Sequence, residues 1–207
     1  MAADTAFLDE LASKAPTPGG GGASAYAGAL AAALSSMVGN LTVGKKTYAA
    51  VEDEVQARMT ELEQLRAHLV ELIDADAAAF APLAAAYKMP KETEEQQVAK
   101  EAALQAALLD ACLVPLEIMR VCAAVIDQAD YLAHHGSKLA VSDAGASATL
   151  AAAAVQAASL NVFINTASMS DRARARALEQ EAAVLVSEAQ RAGADAMSFV
   201  MDRIRSN

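Results

Sequence analysis

Residues 62–83 read LEQLRAHLVELIDADAAAFAPL. Leu62, Leu65, Leu69, Leu72, Asp76, Ala79 and Leu83 recur at steps alternating three and four, so they form one seam of an amphipathic helix. No strand of period two fits this stretch. A carboxylate, Asp76, occupies one of the apolar positions of the seam, whereas Asp74 falls off it and belongs to the solvated side. The fold and its first chemical question therefore come from the same 22 residues.

The rest of the chain extends the helical reading. The protein has 207 residues, is 55% hydrophobic but only 4% aromatic, and contains no Trp. Alanine dominates, and it is the best helix former. We expect an all-α protein, an antiparallel bundle of long helices in one domain, with backbones that approach closely because little side-chain bulk separates them. A short helix fits Thr5 to Ser13, broken by Lys14-Ala-Pro-Thr-Pro-Gly-Gly-Gly-Gly22. A long helix follows from Ala23 to Thr47, with its stripe at Tyr26, Leu30, Leu34, Met37 and Leu41. A second runs from Val51 to Tyr87. A third runs from Glu92 to Gln128, bent at Pro115. His134-His135-Gly136 reads as a turn. Ser142 N-caps a fourth helix to Ala167, and Ser170-Asp171 opens a last one to Arg205.

Short connections make sequential helices antiparallel, and a rise of ~1.5 Å per residue then places side chains along the bundle axis. Gly19, Gly20, Gly21, Gly22, Ser24, Asp76, Asn161 and Asn165 come level at one end. Lys45, Lys46 and Asp143 collect at the other, ~25–30 Å away by the same count. An antiparallel pair of subunits could bring the two clusters together.

Each of these residues has a structural and a chemical reading. A seam carboxylate without a partner is costly, and burial raises its pKa, which suits a general acid or base; it also suits a cap on a neighbouring helix. The glycine run before a helix offers backbone N–H groups to an anion or carbonyl, or simply a turn. It lacks the Gly-Lys-Ser/Thr ending of a P-loop. Asn161 and Asn165, four apart, share a face and can read a heterocycle's donor–acceptor edge or bond a neighbouring helix. Lys45 and Lys46 complement a helix C-terminus, and Asp143 a helix N-terminus.

The composition excludes other classes. A net charge of −10 argues against a nucleic-acid partner. The start, Met1-Ala2-Ala3-Asp4-Thr5, has no basic leader, and Cys112 and Cys122 read as core residues of a cytoplasmic protein. The uncharged stretches Ala15–Gly44 and Ala144–Ser170 carry a polar residue every few positions and read as buried helices, partly covered by a second subunit, not as membrane spans. No metal-ligand set is visible.

Five motifs in order, Pro16-Thr-Pro-Gly-Gly-Gly-Gly22 with Ser24, Gly44-Lys-Lys-Thr-Tyr48, Asp74-Ala-Asp-Ala-Ala-Ala-Phe80, Val141-Ser-Asp-Ala144 and Asn161-Val-Phe-Ile-Asn165, resemble the cyclodeaminase domain of formiminotransferase-cyclodeaminase and its stand-alone bacterial relatives, some of them methenyltetrahydrofolate cyclohydrolases. The resemblance spans nearly the whole chain, with Gly22 standing where relatives often carry Ser. It implies a helical dimer, a tetrahydrofolate substrate, no metal or redox cofactor, and no transfer of the formimino group. It also implies roles: Asp76 as acid/base or counter-charge, Asn161 and Asn165 orienting the pterin, and the glycine loop packing on the ring. Lys46 and Asp143 then act from the other end, or Lys46 holds the folate glutamate. The rival reading is a non-catalytic helical dimer, an adaptor or scaffold.

Overall fold

The computed structural model describes residues 5–206. The leader reading of Met1 to Asp4 falls outside them. Six helices follow one another: α1 (Ala6–Leu11), α2 (Gly20–Asn40), α3 (Glu52–Tyr87), α4 (Glu94–His135), α5 (Val141–Thr166) and α6 (Arg172–Arg205). Among the described residues there is no strand. The all-α expectation holds.

Helix α4 is the axis of the molecule. It packs against α2, α3, α5 and α6, while α3, α2, α5 and α6 form a curved row in that order around it. The core along α4 is apolar and tightly filled, with Leu108, Leu116, Met119, Cys122 and Ile126 all but sealed from solvent. On α2 the residue facing α4 and α3 is Gly28, where a Cβ would collide with Cys122 and crowd Leu69. That contact is the close approach expected of small residues. Burial pushes the Cys112 thiol up to about 11, with Glu179 adding to the effect, and the Cys122 thiol to about 12. Both are protonated core residues at neutral pH.

Helix ends follow local chemistry. Thr93 and Gln96 form a capping box on α4, and the Asp171 side chain accepts from the N–H groups of Ala173 and Arg174 at the start of α6. Several expected boundaries move. Helix α2 stops at Asn40, not Thr47, because the chain turns through Gly44 at φ +77° and continues as a 3₁₀ turn from Lys46 to Val51. His134 and His135 lie in the last turn of α4, and Gly136 supplies the stop. Ser142 sits inside the first turn of α5 and makes no cap.

Helix α2 turns its larger apolar side chains outward. The stripe Tyr26, Leu30, Leu34, Met37, Leu41 faces away from the core, with Leu30, Met37 and Leu41 exposed. The buried face is instead Gly21, Ser24, Ala25, Gly28, Ala32, Ser35 and Gly39. Small residues let α2 sit deep among its neighbours, so the larger side chains are turned outward. Antiparallel α2 and α5 are pinned by a buried hydroxyl pair. Ser147 Oγ donates to Ala31 O at 2.7 Å and accepts from Ser35 Oγ at 2.8 Å. By length and composition alone, residues 138–166 could cross a membrane, yet half of that apolar window is buried against neighbouring helices.

Candidate functional site

Helices α2, α3, α4 and α5 converge at the end of the bundle where α2 begins. They enclose a cavity of about 190 Å³ lined by Pro16, Thr17, Gly19, Gly20, Asp76, Phe80, Ala111, Pro115, Asn161 and Asn165. This is smaller than the ~300–1,000 Å³ of a site that encloses a drug-sized ligand. The residues that helical counting had brought level, Gly19, Gly20, Asp76, Asn161 and Asn165, do meet around one space.

Asp76 is half-buried on α3 and approaches the first turn of α2. Its Oδ2 accepts the Gly22 N–H at 3.0 Å. Gly19, at the N-cap position of α2, has no side chain to do this, so a carboxylate from another helix caps the turn. The approach requires glycine at position 21, where a Cβ would overlap the Asp76 carboxylate. Burial pushes the Asp76 carboxyl above the ordinary carboxylate range, and the Gly22 N–H pulls it back by less. Among the described residues no cation pairs with it. The seam residue is therefore both a helix cap and a desolvated acid on the cavity wall.

On α5, Asn165 Nδ2 donates to the backbone carbonyl of Ala111 at 2.8 Å. Asn161, one turn earlier, stands against Gly20, its Nδ2 3.5 Å from where a Cβ there would be. Phe80 lies one turn beyond Asp76 on the same face of α3 and supplies an aromatic wall; Pro115 and Ala111 supply the α4 wall. None of these three was singled out as a site residue from the sequence. The spacing of Phe80 from Asp76 was the available signal for the first, and a proline far inside a long helix for the second.

Two expected site residues point elsewhere. Ser24 is buried in α2 and its Oγ donates to Gly20 O at 2.6 Å, so it offers the cavity no hydroxyl. A side chain at Gly22 would meet Pro18 and Ile73, so a Ser there would also turn from the cavity.

The other cluster lies at the far end of α2, whose 21 residues span ~30 Å. Lys45 and Lys46 are exposed beside a shallow depression shared with Glu52 and Asp53. Asp143 is half-buried in the first turn of α5. Neither lysine nor Asp143 enters an ion pair among the described residues. What orders this end is Tyr48, whose hydroxyl accepts the Lys138 N–H at 2.9 Å, and Thr42, whose Oγ1 accepts the Ser137 N–H at 2.8 Å. Within one subunit Lys46 and Asp143 do not reach the cavity. Among the described residues no group of three His, Cys, Asp or Glu side chains is placed to hold a metal.

Known proteins share this architecture. The family model described as formiminotransferase-cyclodeaminase matches residues 4–184. The chain is 46% identical to a methenyltetrahydrofolate cyclohydrolase from Methylorubrum extorquens over 88% of each protein. It is 34% identical to the mouse formimidoyltransferase-cyclodeaminase over 80% of this chain, and spans 30% of that longer enzyme. The crystal structure of formiminotetrahydrofolate cyclodeaminase from Thermotoga maritima superposes with a TM-score of 0.80 at 30% identity, covering 99% of this chain and 96% of that one. The chain belongs to the formiminotransferase-cyclodeaminase family.

Proposed function

We propose that this protein is a methenyltetrahydrofolate cyclohydrolase, opening 5,10-methenyltetrahydrofolate to the 10-formyl form. The observation that supports it is the cavity, which sets a desolvated carboxylate beside two amides and an aromatic wall. The methenyl carbon is an amidinium, electrophilic and cationic. Ionised Asp76 is its counter-charge and takes a proton as water adds to that carbon. The C–N5 bond of the tetrahedral adduct then breaks, N5 receives a proton from Asp76, and the hydroxyl becomes the formyl oxygen; the net reaction releases one proton. Asn161 and Asn165 orient the pterin, and Phe80 lies along it. The reaction requires no metal or redox cofactor.

Water addition is favoured over ammonia loss by the 46% identity to a cyclohydrolase of similar length, against 34% and 30% for the two relatives named for cyclodeamination. Absorbance of the methenyl compound separates them. Faster disappearance of added methenyltetrahydrofolate is expected. Its appearance from the 5-formimino compound, without that disappearance, would make the enzyme a cyclodeaminase.

The working form in this reading is a homodimer. The outer faces of α2 and α5 lie side by side, opposite α4, and present Leu30, Met37, Leu150, Leu160 and Ile164 to solvent without a charge among them. A two-fold pairing of these faces, with its axis across the bundle, lays the far end of one subunit beside the cavity of the other. Lys46 and Asp143 then act on the neighbour's substrate, the lysine on the folate glutamate. Light scattering should give twice the chain mass, and Leu160→Glu should reduce it to one; a monomeric parent would sink the dimer. Covered in this way, α5 is a core helix of a soluble, cytoplasmic enzyme with no membrane or nucleic-acid partner. An adaptor or scaffold would use the same bare faces but has no need of the cavity.

A further inference from the structure

Pro115 lies in the interior of α4, on the cavity wall. Proline has no N–H, so the carbonyl four residues earlier, that of Ala111, loses its helical donor. Ala111 is 6% exposed, and water does not readily replace the missing bond. The donor comes from α5: Asn165 Nδ2 reaches Ala111 O at 2.8 Å. Pro82 in α3 does the same to Ala78, but Ala78 is exposed and solvent can serve its carbonyl. Only at Pro115 is the freed carbonyl buried beside the cavity.

A carbonyl oxygen only accepts, so the side-chain nitrogen of Asn165 must face Ala111. Its Oδ1 is thereby turned to the opposite side of the amide. We propose that Pro115 is a positioning residue, which acts through Asn165 by locking the amide so that an acceptor and not a donor meets the bound heterocycle. A pterin offers a matching edge, the N–H groups of its ring nitrogen and exocyclic amine. A flipped amide would set donor against donor. The substrate part of this inference rests on the folate reading above; the link between Pro115 and Asn165 does not.

The test is a double-mutant cycle on Pro115→Ala and Asn165→Ala, read by KM and kcat for methenyltetrahydrofolate and by melting temperature. Alanine at 115 restores the N–H to Ala111 O and releases the amide. In the parent background we expect KM to rise about 10-fold, the loss of roughly one hydrogen bond, with kcat nearly unchanged. In the Asn165→Ala background the same change should leave KM within about two-fold, because the group it acts through is gone. Additive effects on KM, or no KM effect of Pro115→Ala, overturn the proposal, since loss of the ring from the cavity wall would act in both backgrounds. Melting temperature decides the link independently of substrate. Asn165→Ala should destabilise the parent, which is left with an unserved carbonyl, and leave Pro115→Ala almost unaffected. A parent that turns over neither folate overturns the functional reading and the pterin edge with it, while the melting cycle still accepts or rejects Pro115 as the residue that sets the amide.

Discussion

Each end of the bundle carries a polar cluster, and the two differ in what surrounds them. At the end where α2 begins, Asp76, Asn161 and Asn165 project between four helices into an enclosed space, with hydrogen bonds that fix the acid and one amide. At the other end Lys45 and Lys46 stand in solvent around a shallow depression, and hydroxyls of Thr42 and Tyr48 hold the turns together. Enclosure is what turns a polar residue into a chemical one. It desolvates the carboxylate, fixes its geometry and, in the proposed reaction, strengthens its field at the methenyl carbon. Exposed lysines can steer or hold a charged tail, but their effect is diluted by solvent and salt.

If that contrast is right, the largest effect of any conservative change comes from Asp76→Asn. Turnover should fall ~10²–10⁴-fold, the worth of a missing acid/base group. The amide oxygen can still accept from Gly22 N–H, so the fold should survive. Gly21→Ala comes next. Its methyl group would push the carboxylate from its place, and a displacement of about 1 Å can cost ~10² in rate without removing any functional group. A variant active within a few-fold of the parent would mean that the carboxylate position is not critical. Lys46→Ala, at the open end, should raise KM a few-fold and leave kcat intact, with Lys45→Ala smaller still; exposed charge pairs are worth only about 1 kcal/mol or less. Because α2 ends at Asn40, the lysines do not sit at its C-terminus as the sequence suggested, and equal small effects would make both of them solvated surface charges.

The smallest effect is a pH signature. Burial raises the folded pKa of Asp76 above its unfolded value, so protonated Asp76 favours the fold and the ionised form opposes it. Its contribution is full below the unfolded pKa and is lost as pH rises through the folded one. Asp76→Asn should therefore melt at or above the parent at pH 7, by roughly 2–4 °C per kcal/mol of relieved desolvation, and the advantage should shrink as pH falls toward 4. An advantage that grew in acid would mean that the native state prefers Asp76 ionised.

Much of this was legible in the chain. Alanine content and the Leu62–Leu83 seam gave an all-helical protein, and counting residues along antiparallel helices brought Asp76, Asn161 and Asn165 to one level. Periodicity identifies a face but not what covers it: the stripe Tyr26, Leu30, Leu34, Met37 and Leu41 has helical spacing, and the structure turns it outward. Hydroxyls have local partners that spacing does not reveal. Ser24 spends its proton on its own helix. Pro115 reads as a bend in the sequence; its effect on Asn165 depends on a contact between residues 54 positions apart.

The direct test is where the folate sits. A crystal structure of the protein with a bound, non-reacting tetrahydrofolate should place the pterin along Phe80, with N5 and N10 facing the Asp76 carboxylate and ring N–H groups on Asn165 Oδ1. The glutamate should run out of the cavity, toward Lys46 of a second subunit. A pterin bound at the Lys45–Lys46 end, with the cavity around Asp76 left to solvent, would contradict the account.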